Sequence, residues 1–317
     1  MVTTAKRVAL NQSALFRLTS PARLAKILLV DRAELVRLLA NQDNNYKVWQ
    51  DRKTGRWIEE PKPELKRIHI RVARLLSQIE TPAYLHSGVK LRSYITNASE
   101  HPAHLPSVKL DVKKFFPSAR AAEVFHFFRD TLEYPDDVAG MMTCLLTFRG
   151  HLPTGGNAST ILSFWAYKPM FDQIAVEAFA RGCSFTLYVD DMTLTGRFAN
   201  RQLMLVARRV VGSYRLRAHK AHHFAPGRPR VVTGVAMTRH GKRLPKRRQK
   251  LIADGWDQVN SAPTASAKLA LLNVLVGRIC EAAEVDASWR PRKREAVAFR
   301  RAVARSALTE IAIDSRS

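Results

Sequence analysis

Acidic residues are scarce in this sequence of 317 residues: 27 Asp+Glu stand against 52 Lys+Arg, a formal charge of +25. The shortage excludes an acidic, polycation-binding protein and calls for a polyanionic partner. Cysteine is also rare. Cys144, Cys183 and Cys280 lie too far apart in sequence for a disulfide framework or for paired zinc ligands, which makes a reducing, cytoplasmic setting the default. No run of 18 apolar residues occurs, the stretch from Leu269 to Gly277 being short, so no membrane span is expected. Low-complexity tracts and internal repeats are missing as well. With 46% hydrophobic and 8% aromatic residues, the chain holds enough apolar material for a sizeable core. At about 150 residues per domain, its length suggests about two domains.

The first 30 residues carry Lys6, Arg7, Arg17, Arg23 and Lys26 with no acid before Asp31, a composition similar to an organellar leader. Helix signals in the same stretch argue for ordinary packed helices instead. Ser20-Pro21 is a cap and first-turn pair, and Leu24, Ile27, Leu28, Leu35, Leu38 and Leu39 recur at helical spacing.

The missing acids are concentrated in one place. From Met192 to Ala253 there are 16 Lys+Arg and no Asp or Glu. Apolar periodicity persists there, in Leu203, Leu205, Val206, Val210 and Val211, so the segment is folded and not a loose basic arm. A solvated basic face is one reading; a phosphate-binding surface suits the extent of the run better.

Helices are expected over Pro21–Leu39, Pro63–Ile79, Ala119–Leu132, Pro135–Thr147, Ala158–Phe179 and Asn200–Tyr214, and again after Pro263 through Ala312. Strands are expected over Val48–Ile58 with a turn at Thr54-Gly55, over Ser107–Val112, over Phe185–Thr195 around two aspartates, and over Arg230–Met237.

Three of the few carboxylates stand in unusual settings. Asp190 and Asp191 follow Tyr188-Val189 in the tight turn between two β-like runs, and Asp111 ends an apolar strand that leads into Phe115-Phe116-Pro117. Asp is a routine turn residue, but adjacent acids repel unless a cation lies between them. A hard divalent ion takes oxygen ligands, and two such ions can clamp both oxygens of a phosphoryl transfer.

Taken in order, these strings resemble the reverse transcriptases, and more narrowly the bacterial retron type. Asp111 with Phe116 resembles the first palm motif, Leu152-Pro153-Thr154-Gly155-Gly156 the Leu-Pro-Gln-Gly loop, and Tyr188-Val189-Asp190-Asp191 the Tyr-x-Asp-Asp hairpin. Arg56-x-Ile58-x-x-Pro61 with Leu65-Lys66 resembles the fingers motif, and Lys220 stands where a later palm motif keeps a lysine. Asn97-Ala98-Ser99-Glu100-His101 and Val232-Thr233-Gly234 match two retron signatures. The sequence departs from the pattern at Thr154, where Gln is usual, and at Asn157, where Pro is common.

The resemblance implies an α+β right-hand polymerase: an N-terminal helical lead (1–45), fingers (46–106), a ferredoxin-like βαββαβ palm (107–239) and a small helical thumb (240–317). It implies that Asp111, Asp190 and Asp191, with the carbonyl of Val112, hold two Mg²⁺ ions. Lys220 either protonates the departing pyrophosphate or binds phosphate. Arg56 and Lys53 would meet the nucleotide triphosphate, unless they form an ordinary basic turn. Phe116 would be a steric gate against the 2′-hydroxyl, or else a core aromatic as Phe115 is expected to be. Thr154 and Gly155 would line the nucleotide site, although a threonine hydroxyl reaches less far than an amide.

Asn97, His101, Val232, Thr233, Gly234, Lys246, Arg247 and Arg248 would contact RNA. On spacing alone, Asn97 and His101 share a face if helical, as a cap and a satisfied histidine also would. The implied activity is RNA-templated DNA synthesis from dNTPs on a cognate structured noncoding RNA, primed from a 2′-hydroxyl of that RNA. Its product would be a branched RNA–DNA (msDNA) made in the cytoplasm, without a membrane, in antiphage defence beside a separate effector or toxin protein. Two other readings compete: a group II intron or other bacterial reverse transcriptase, disfavoured because the stretch after Gly234 is expected to hold a thumb but not maturase and endonuclease domains, and a basic RNA-binding protein with a dead polymerase fold, disfavoured because all three aspartates are present.

Overall fold

A computed structural model describes the backbone of residues 7–314 and the side chains of residues 7–307; Lys6 lies outside the described residues. Helices α1 (Pro21–Leu28) and α2 (Arg32–Ala40) come first, then strands β1 (Tyr46–Gln50) and β2 (Trp57–Pro61) and helices α3 (Pro63–Leu76) and α4 (Tyr94–Ser99). After β3 (Ser107–Val112) follow α5 (Phe115–Ser118), α6 (Ala121–His126), α7 (Asp136–Leu146), α8 (Ser159–Ala166) and α9 (Lys168–Phe179). Next are β4 (Ser184–Tyr188), β5 (Asp191–Thr195), α10 (Arg201–Ser213) and β6 (Ala218–Phe224). The remaining elements are β7 (Arg230–Val232), β8 (Val235–Thr238), β9 (Gly241–Arg243), α11 (Lys246–Asn260), α12 (Ala265–Val285) and α13 (Arg290–Asp314).

The described residues pack as two units, one drawn from residues 7–100 and 106–224, the other from 101–105 and 225–314. In the first unit an antiparallel sheet of order β4-β5-β3-β6 is joined by helices between β3 and β4 and between β5 and β6. That order and connectivity are the βαββαβ topology expected of a polymerase palm. One face of the sheet is apolar: Val108, Leu110, Val112, Phe185, Leu187, Met192 and Leu194 are all buried. Helices α9 and α10 pack on the sheet, and alternation along β3 turns Lys109 and Asp111 to the opposite face.

Two expected helices are each divided. Leu29 takes a left-handed conformation (φ 59°) and ends α1, while the Asp31 carboxylate caps α2 by accepting from the Glu34 amide at 2.7 Å. The apolar repeat runs through the break, so periodicity alone sees one helix. Pro169 divides α8 from α9, because a ring at the second helical position has no amide to continue the preceding ladder. The segment expected as Ala119–Leu132 is α6 followed by a π-helical turn over Phe127–Thr131. Strand β6 was not expected: Ala-His-Lys-Ala-His-His-Phe has no β-branched residue, and pairing with β3 alone makes it a strand.

The second unit holds the antiparallel meander β7-β8-β9 and the helices α11 to α13. Gly255 lets α11 and α12 approach closely, since a Cβ there would meet Leu275 Cδ1 at 2.9 Å. Arg230 of β7 donates to the carbonyls of Pro102 and Leu105, at 2.6 and 2.9 Å, and so holds the short 101–105 segment in this unit.

Candidate active site

Tyr188 and Asp191 face each other as the last pair of the β4–β5 ladder, which leaves Val189 and Asp190 as a two-residue turn. Val189 has φ 61° and Asp190 does not share the positive φ, the pattern of a type II′ turn. A β-branched residue is strained there. The strain is held in place from outside the hairpin: Ser87 Oγ accepts from the Val189 amide at 2.9 Å. The segment around Leu85 pairs with β4 through Leu187 N–H to Tyr84 O (2.7 Å) and His86 N–H to Leu187 O (2.8 Å). It covers what would otherwise be an open strand edge.

Register brings the third aspartate to this turn. Leu110 pairs with Met192, so one further step along the antiparallel ladder sets Asp111 level with Asp191. Lys109, two residues before Asp111 and on the same face, places Nζ 3.2 Å from Asp191 Oδ1. On the other side of β3 the pairing with β6 shifts between Lys109 and Asp111. Lys220, at φ 46° in that irregular stretch, reaches to 3.5 Å from Asp111 Oδ2. Two lysines thus stand on the two flanking carboxylates. Burial, then the charges of Asp111 and Asp191, push the Asp190 carboxyl up to about 7, and Arg56 draws it back only in part.

Among the described residues, no three His, Cys, Asp or Glu side chains form a ready-made metal cage. The donor chemistry still suits a hard divalent ion: an all-oxygen set in which burial, then repulsion by Asp111 and Asp191, raises Asp190, and whose repulsion a cation would relieve. The Val112 side chain is buried, so that residue could contribute only its carbonyl.

The other expected nucleotide residues lie in the same unit. Arg56 and Lys53 are exposed in the β1–β2 connection, which the Asp51 carboxylate braces by accepting from the Lys53 amide and the Thr54 hydroxyl. Phe115 is a core residue; Phe116 is half-buried beside it, ring centroids 5.9 Å apart. The Thr154 amide donates to Glu59 Oε2 at 3.1 Å, while its hydroxyl is buried without a partner and is not presented to a ligand. Gly155 is exposed and lies tight against β2, where a Cβ would meet the Glu59 carbonyl oxygen at 3.0 Å.

The expected RNA-contacting residues are divided between the units. Asn97 is fully buried in α4, which ends at Ser99 with Glu100 as its cap, so His101, also fully buried, lies beyond the helix and not on its face. In the second unit Val232 is buried and Thr233-Gly234 form the β7–β8 turn, with φ 44° and 84°. Lys246 and Arg247 are exposed in the first turn of α11. Arg248 bonds to Glu281 at 3.1 Å and lies beneath the turn, 3.7 Å from where a Gly234 Cβ would be.

Sequence reasoning missed Lys109, Ser87, Glu59 and His151. Lys109 carried a signal, being a cation two residues from Asp111 on an apolar strand. Ser87 carried none, because its partner is about a hundred residues away in sequence.

No protein-family profile matches the chain. The retron Se72 reverse transcriptase of Salmonella heidelberg (strain 579083-10) is 27% identical over 181 residues, covering 54% of this chain and 47% of that protein. The retron Ec86 reverse transcriptase of Escherichia coli is 29% identical over 171 residues, covering 52% of this chain and 53% of that protein. The chain thus spans about half the length of the curated relatives it matches. Among solved structures, a foamy viral protease-reverse transcriptase in complex with double-stranded DNA aligns over 73% of this chain and 36% of its own, at 14% identity and a TM-score of 0.41. Over about half its length, the sequence of this chain is similar to these retron reverse transcriptases.

Proposed function

We propose that the chain is an RNA-directed DNA polymerase of the retron type. The observation that carries the reading is the register that sets Asp111 level with the Asp190–Asp191 turn, on one sheet face, with Lys220 and Arg56 around it. Asp111, Asp190 and Asp191 would hold two Mg²⁺ ions, with the Val112 carbonyl as an added oxygen. Bound there, the ions would activate the primer hydroxyl and neutralise charge on the leaving pyrophosphate. Lys220 meets phosphate or its leaving oxygen, Arg56 and Lys53 meet the triphosphate, Phe116 lies under the sugar, and Gly155 admits the nucleotide close to the backbone.

In this reading residues 46–106, 107–239 and 240–317 serve as fingers, palm and thumb after the 1–45 lead. The template is a cognate structured noncoding RNA, a 2′-hydroxyl of that RNA is the primer, and the product is msDNA. Thr233, Gly234, Lys246 and Arg247 form its contact surface, with Arg248 beneath the turn; Val232, Asn97 and His101 are buried and take no direct part in it. The setting is the cytoplasm and antiphage defence with a separate effector. Among the described residues no helix is long and apolar enough to cross a membrane.

Template-dependent dNTP incorporation on a primed RNA, with Mg²⁺ supplied or chelated, tests the activity. Sequencing the nucleic acid that copurifies with the protein tests the retron assignment: a branched RNA–DNA supports it, and unrelated RNA counts against it.

A further inference from the structure

Glu59 is a buried carboxylate on β2, three residues after Arg56, and its partners come from far along the chain. Its Oε1 and Oε2 lie 3.0 and 3.1 Å from His151 Nε2, and Oε2 also accepts from the Thr154 amide at 3.1 Å. A carboxylate out of water needs such partners, and removing one leaves a buried charge exposed to the low dielectric. The loop that supplies them is anchored a second time. His151 and Phe148 exchange backbone hydrogen bonds of 2.8 and 3.0 Å, and the Leu152 amide donates to Ala119 O at 2.9 Å, just after the helix that carries Phe116. Glu59 therefore joins the strand that follows Arg56 to the loop of Gly155, and through that loop to the segment of Phe116. The fit is close, since Gly155 has no room for a side chain against the Glu59 carbonyl.

We propose that Glu59 is a positioning residue for the incoming nucleotide: by clamping His151 and the Thr154 amide it sets the distance between Arg56, Gly155 and Phe116. The inference rests on the polymerase reading above. It also accounts for Thr154, because here the main chain at 154, and not the side chain, makes the contact that fixes the loop.

The titratable and charged groups facing the clamp are His151 and Arg149 on the loop and Tyr46 on β1, with Cys144 of α7 beyond Tyr46. Burial alone would raise the Glu59 carboxyl. The hydrogen bonds from His151 and Thr154 and the charges of His151 and Arg149 outweigh it and hold the group below its ordinary value. The bond to Glu59 raises His151 above its ordinary 6.5, against burial. Glu59 contributes above the ordinary carboxylate range and loses its part as pH falls; His151 contributes at low pH and loses its part as pH rises through its elevated value. The clamp is thus fully charged on the acid side of neutrality and weakens in alkali, where a neutral imidazole can still donate but without charge assistance.

Single-nucleotide incorporation on a primed RNA with Mg²⁺, from about pH 6 to about pH 9, tests this in the full chain for wild type, E59Q, H151N and the double variant. The expected result is a KM for dNTP raised about tenfold in E59Q and H151N, with kcat and the KM for template–primer held within about twofold. Wild type should show a rise in KM in alkali that disappears in both variants, and the double variant should be no worse than either single one. A fall in kcat at unchanged KM, a parallel change in template KM, or additive effects would overturn the proposal. If E59Q gives no cooperative melt, H151N alone decides by the same criteria, its side chain being the more exposed partner. An inactive wild type would overturn the polymerase reading and this role with it, whereas an active wild type with an unmoved KM in the variants would overturn only the clamp.

Discussion

Two hairpins in this protein solve the same backbone problem in opposite ways. The β7–β8 turn needs positive φ at both central residues and uses Thr233-Gly234, the second a residue with no Cβ to strain. The β4–β5 turn needs it at one residue and uses Val189, followed by an aspartate pushed up to about 7 by burial and by two other carboxylates. The first is strained at Thr233, a β-branched residue at positive φ, but not at its glycine, and it carries no carboxylate. The second stores both backbone strain and charge repulsion and is held by Ser87, Lys109 and the covering 84–87 segment. Strain and like charge gathered in one turn mark a place kept for chemistry rather than for stability.

The contrast can be broken at several points. The largest effect is on activity: D190A should cost about a thousandfold or more in dNTP incorporation while the chain stays folded. Retention of incorporation would end the active-site reading of the β4–β5 turn.

Next is pH. With metal chelated, the folded chain keeps a proton on Asp190 that the unfolded chain has already released, between the ordinary 3.8 and about 7. Stability is therefore lost as pH rises through that range. D190N should melt above wild type at about pH 8, with the gap closing near pH 4; a constant gap would show that burial and repulsion do not raise Asp190 there.

Backbone strain gives a smaller signal of opposite sign in the two hairpins. G234A should destabilise by about 1 kcal/mol, or about 2–4 °C in Tm. V189G should be neutral or stabilising, because relief of strain offsets the lost side chain. Equal losses in both would remove the distinction. The smallest effect is on salt dependence: K246A and R247A should each lower the slope of log affinity for RNA against log salt by about 1.

Legibility in the sequence followed the range of the forces involved. The β3 bounds came out as expected, because apolar residues run to Val112 and a turn signal follows. The β4–β5 hairpin was equally readable from two apolar runs around Tyr188-Val189-Asp190-Asp191. Strand β6 was not, since its residues favour no strand and its partner lies far upstream. Arg56, Asp111, Asp190 and Asp191 were visible as motif residues. Glu59 and His151 were not, because their meaning depends on a contact across 92 positions.

By itself the sequence determined that the chain is basic, folded and rich in local pattern: a positive excess concentrated after Met192, a strand ending at Asp111 and a turn bearing two aspartates. These depend on composition and on neighbours a few residues apart, where periodicity and turn chemistry act. Only the tertiary structure decided that Asp111 stands level with Asp191, that Lys109 and Lys220 attend them, that Asn97 and His101 are buried, and that Glu59 clamps the loop at Thr154. Strand register, burial and charge coupling arise between segments distant in sequence, and become defined only when the chain closes on itself.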